Sequence, residues 1–157
     1  DLSKLLKSSG ALLVKESYTL PDVGWPITCS IYILRDLLNE DEKQIGLKIS
    51  VAEEYSTKSA LLDYDELEAL LTSINLIQEK GLEICTNPSI KIPEGLTNAT
   101  EIDYVSKDGL RFGVYVKKGK LKYAIQVSRT ADWKFIKENN LEILKTNIQT
   151  VLDLKNN

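Results

Sequence analysis

The chain has 157 residues, 43% of them apolar and 27% charged, with a net charge of −3; that is enough apolar matter for one packed domain, and it argues against disorder and against a dedicated duplex-DNA binder. There is no His, and the only cysteines are Cys29 and Cys85, which removes Ser-His-Asp and Cys-His catalysis, His-ligated metals and a Cys-only zinc site. No apolar run approaches the length of a membrane-spanning helix.

In chain order, residues 1–10 read as a short amphipathic turn of helix, with Leu2, Leu5 and Leu6 on one face and Gly10 as its stop. Residues 11–20 read as a strand closed by the Pro/Gly loop 21–26, in which Trp25 is expected to plug the loop. Residues 27–37 alternate, with Ile27, Cys29, Ile31 and Ile33 facing one way and Thr28, Ser30 and Tyr32 the other. The charged run 39–44 reads as a turn, 45–55 as a third strand and 58–62 as a short fourth.

A helix follows, near 64–80, and its start carries Asp63, Asp65, Glu66 and Glu68 within six residues. With Asp63 at the N-cap, Glu66 falls at N3 and completes a capping box, while Leu62 and Leu67 take the two positions of a hydrophobic staple. Asp65 sits in the first turn, where the helix dipole favours negative charge. Leu67, Leu70, Leu71, Ile74 and Ile77 form the apolar stripe, and Gly81 is expected to end the helix. The cluster lacks the further oxygen ligands and the glycine of a calcium loop, so it is read as the start of a helix and not as a metal or catalytic site.

The irregular segment 82–99, with two prolines, joins a first unit, 11–81, to a second, 100–155. Residues 100–106, 110–116, 121–128 and 132–136 read as strands, with Trp133 packing on the sheet, and a closing helix covers about 140–154 through Leu141, Leu144, Ile148, Val151 and Leu152. "GLKISV" (46–51) and "GLRFGV" (109–114) match locally, though in different strands of the two units. The expected architecture is one α+β domain over 1–157, a mostly antiparallel sheet in two strand runs, each followed by an amphipathic helix.

The one charge anomaly is the hairpin 107–122, where Lys107, Arg111, Lys117, Lys118, Lys120 and Lys122 face a single acid, Asp108. Alternation puts Phe112, Val114 and Val116 on one face and Arg111, Tyr115 and Lys117 on the other, with Gly113 between them. Tyr115 among cations suits base stacking beside phosphate contacts; the plainer reading is lysines guarding exposed strands against edge pairing. Lys107, Arg111, Tyr115, Lys117, Lys118, Lys120 and Lys122 are therefore the candidate anion- or partner-binding residues. The glycines form no phosphate-cradling loop, and no metal or cofactor is implied.

The strands-then-helix order, repeated over 11–155, resembles the Whirly-type single-stranded-DNA-binding fold, which implies topology and no transferable residues. The chain also resembles small exported bacterial proteins built as strands plus a "DYDEL" helix. No Met stands at position 1, and Asn98-Ala99-Thr100 is a sequon; removal of a secretory signal, giving a periplasmic or extracellular protein, is one expectation, and excision from a longer protein the other. The two cysteines fit either one disulfide or two buried thiols. The preferred function is a non-catalytic binding or structural module with a protein or glycan partner. Polyanion or single-stranded nucleic-acid binding through 107–122 is the first alternative, and a His-independent hydrolase or lyase the second.

Overall fold

The structure, a computed structural model, describes residues 1–97 and 99–155, without the side chains of Glu40 and Asp41. Asn98 of the sequon lies outside the described residues. A one-turn helix, α1 (Leu2–Leu6), precedes strands β1 (Leu13–Thr19), β2 (Ile27–Asp36), β3 (Asn39–Ala52) and β4 (Thr57–Leu62), then helix α2 (Tyr64–Thr86). Strands β5 (Glu101–Val105), β6 (Arg111–Lys117), β7 (Lys120–Gln126) and β8 (Lys134–Ile136) follow, then helix α3 (Glu138–Lys155). Each run of four strands makes its own antiparallel sheet in sequential order, so the α+β architecture has two strand runs, each followed by a helix.

The main core draws on both sheets and both long helices. Ile27, Leu47, Ile49, Val51 and Leu62 come from the first sheet, Phe112, Val114, Tyr123 and Ile125 from the second. Leu67, Leu70, Ile74 and Ile77 come from α2, and Leu141, Leu144, Ile148, Val151 and Leu152 from α3. Period-two residues of the sheets therefore meet period-3.6 residues of the helices, each fully buried aliphatic side chain contributing about 1.5–3 kcal/mol. Helix α2 packs on β5, β6 and β7 of the sheet that follows it as well as on β3, whereas α3 packs on β3 and on α2.

Four expectations change. Residues 39–44 are not a turn but the first part of β3, since the ladder with β2 continues through Lys43 and Gln44. The chain reverses only at Leu37-Leu38, where the Asp36 carboxylate accepts from Leu12 N–H at 3.3 Å and Leu38 N–H at 2.9 Å. Second, β2 does not keep one apolar face. Its first half buries Ile27 and Cys29 in the main core, whereas its second half buries Tyr32 and Leu34 on the opposite face, beneath Leu2 and Leu5 of α1. Gly46, paired with Tyr32, lets α1 lie that close: a Cβ there would stand 2.3 Å from a Leu2 methyl.

Third, α2 runs through Gly81 to Thr86. A mid-helix glycine costs about 1 kcal/mol relative to alanine, but here its bare Cα admits Leu121 of β7, whose methyl would stand 3.2 Å from a Cβ. Fourth, Trp25 plugs nothing; it is 79% exposed. Cys29 and Cys85 are both buried and are not joined by a disulfide, and burial pushes the Cys29 thiol up to about 12.

Candidate ligand-binding face

The acidic cluster is built into the fold. Asp63 and Glu66 form the capping box, with Asp63 N–H donating to Glu66 Oε2 at 2.9 Å. Glu66 is buried, and its other oxygen accepts from Lys107 N–H at 2.8 Å. The Asp63 carboxylate accepts from Leu2 N–H at 2.8 Å. Two carboxylates thus join α1, α2 and the turn between β5 and β6. Asp65 pairs with the Lys107 ammonium at 2.6 Å; that hydrogen bond holds the Asp65 carboxyl below its ordinary range and pushes Lys107 up. Sequence spacing shows the capping box, but no local signal shows that Glu66 reaches across to the second sheet.

The hairpin residues divide into three groups. Lys107 lies at the base, held by Asp65. Lys118 and Gly119 form the two-residue tip, both with positive φ (53° and 74°), the conformation of a type I′ turn. Arg111, Tyr115 and Lys117 of β6 and Lys120 and Lys122 of β7 occupy the sheet face turned away from the helices, because their neighbours Phe112, Val114, Tyr123 and Ile125 point into the core. Tyr115 stands opposite Lys122, and Lys117 opposite Lys120. Among the described residues, none of Arg111, Lys117, Lys118, Lys120 and Lys122 is in an ion pair.

Edge protection fits Lys117, Lys118, Lys120 and Lys122, which lie on the part of the hairpin with no outer strand beside it, and does not account for Arg111, which lies within the β5–β6 ladder. β6 and β7 are the two central strands of their sheet. Their ladders to β5 and β8 stop at Tyr115 and Tyr123, so only the tip beyond those residues has free edges.

The same outer face carries two further aromatic side chains, neither among the hairpin candidates. Phe135 of β8 lies opposite Ala124 and is 70% exposed; its ring meets that of Tyr115 edge-on, centroids 6.3 Å apart. Trp133, 40% exposed, lies over Gly113, and a Cβ at Gly113 would stand 3.4 Å from the indole. The loop delivering Trp133 is fixed by Gln126 Nε2 donating to Ala131 O and by Asp132 N–H donating to Glu53 Oε1, both at 2.9 Å. Gly113, Ala124, Tyr115, Trp133 and Phe135, with Glu101 and Asp103 of β5, line an open pocket of about 250 Å³. The missing side chain at Gly113 and the small one at Ala124 make its floor. A glycine in a central strand was the available sequence signal, since it marks a close approach.

Among the described residues no group of three or more Cys, Asp or Glu side chains is arranged to hold a metal ion. No described helix is long and apolar enough to cross a membrane. No protein-family model matches the chain, and a search of curated proteins returns no similar sequence.

Proposed function

We propose that the protein is a non-catalytic binding module that takes single-stranded nucleic acid across the outer face of its second sheet. One observation carries the reading: Tyr115, Phe135 and Trp133 share that face with Arg111, Lys117, Lys120 and Lys122, cations without an ion-pair partner among the described residues. Flat rings on a sheet stack successive bases whatever their identity, and cations along the same strands hold the phosphates between them. The cations run from Arg111 to the hairpin tip, a span of about 20 Å at the rise of a strand, which suits a short stretch of extended chain. The net charge of −3 is no obstacle, because a local basic stripe supplies the attraction.

The test is fluorescence anisotropy of a labelled oligo-dT at low salt with Tyr115→Ala and Phe135→Ala variants. Each stacking ring contributes about 1–3 kcal/mol per base, so each variant should weaken binding about fivefold to 150-fold. Binding unchanged in both variants would refute stacking on this face.

A further inference from the structure

The pocket between Tyr115, Phe135 and Trp133 has an acidic rim on a face otherwise lined with cations. Asp103 lies across the strand from Gly113, and its Oδ1 would stand 2.6 Å from a Cβ at that glycine, directly over the pocket floor. Glu101 stands opposite Tyr115. Neither carboxylate has a hydrogen bond or ion pair to a described residue. A phosphate would be repelled here, so the group that enters must present donors.

We infer, resting on the nucleic-acid reading above, that this pocket receives one base of the strand and selects guanine, with Asp103 as the specificity-determining carboxylate. A carboxylate is an acceptor only. Guanine is the one common base with two donors side by side on its pairing edge, N1–H and N2–H, and the two oxygens of one carboxylate accept both. Cytosine offers N4–H beside the N3 lone pair, and adenine N6–H beside the N1 lone pair. Thymine and uracil offer N3–H between two carbonyl oxygens. In each of those four a carboxylate oxygen is brought against a lone pair. The aromatic walls hold the base by stacking, and Gly113 lets Trp133 and the Asp103 carboxylate come close over the strand. Arg111, Lys117, Lys120 and Lys122 then hold the flanking phosphates.

The experiment compares wild-type affinity for labelled oligo-dT with that for the same oligomer carrying a single central dG, and for one carrying a central inosine, which keeps N1–H and lacks the N2 amine. A bidentate base contact discriminates by about fivefold to 150-fold, so the dG oligomer should bind more tightly than oligo-dT by a factor in that range. Inosine should fall between them, and Asp103→Asn should bring the dG-to-dT ratio to about one. That ratio is read within each protein, so a change in the variant's stability does not mimic the result. Equal affinity for all three oligomers with the salt dependence of phosphate contacts would overturn guanine selection and leave the binding face standing. No binding of any oligomer at low salt would overturn both. A guanine preference that survives Asp103→Asn undiminished would overturn the assignment to Asp103.

Discussion

Glu66 offers the sharpest check on how the two halves are joined. The residue is 5% exposed and its carboxylate takes two backbone donors, Asp63 N–H at 2.9 Å and Lys107 N–H at 2.8 Å. Glu66→Gln keeps the size but replaces one acceptor with an NH2 group, so one backbone N–H faces a donor. Hydrogen bonds to a charged group contribute about 1.5–3 kcal/mol each, and the substitution should therefore cost about 2–3 kcal/mol. For a chain of this length each kcal/mol moves Tm by about 2–4 °C, so calorimetry should show a drop of roughly 4–12 °C. Glu66→Ala removes both acceptors and should cost about twice as much. Glu68, two residues on and exposed, is the control; Glu68→Gln should stay within about 0.5 kcal/mol of wild type. Equal Tm values for the Glu66→Gln and Glu68→Gln proteins would refute the bridging role of Glu66.

Lys118 holds φ at 53° in the hairpin tip, where an L-residue with a Cβ is disfavoured by about 1–2 kcal/mol; Lys118→Asn, matching the Asn-Gly preference of this turn, should raise Tm by a few degrees. Glu53, Asp65 and Glu142 have carboxyls held below their ordinary range, by the Asp132 backbone N–H, by Lys107 and by Gln78 respectively. A depressed folded-state value stabilises the fold above the unfolded value and loses that contribution as pH falls through the folded one, so Tm should decline as pH drops below about 4; a flat profile there would contradict these contacts. Cys29, buried and with its thiol pushed up to about 12, should resist a thiol reagent in the native protein and react on unfolding.

Much of the architecture is legible in the sequence, because each apolar period is short-range. The alternation 27, 29 and 31 and the helical series 141, 144, 148, 151 and 152 need no partner to be seen, and both land in the main core or packed against it. Where the reading departs from the structure, a distant residue decides. Gly81 looks like a helix stop until Leu121 is placed against it. Tyr32 looks solvent-facing until α1 covers it. The run 39–44 looks like a turn because its charge hides a hairpin arm whose register is set by β2. The candidate face shows the same limit: alternation puts Arg111, Tyr115 and Lys117 on one side, but only the closed sheet brings Phe135, Trp133, Glu101 and Asp103 beside them.

The central claim is that the outer face of the second sheet holds a phosphate backbone. The most direct measurement is the affinity for labelled oligo-dT as salt is raised from about 50 to about 200 mM. Single strands lose about 0.7 in the log–log slope per neutralised phosphate, so contacts by Arg111, Lys117, Lys120 and Lys122 give a slope near −3 and roughly a 50-fold loss over that range. A Lys117→Glu, Lys120→Glu, Lys122→Glu variant should lose the binding. Binding absent at the lower salt, or present and indifferent to salt, would contradict the account.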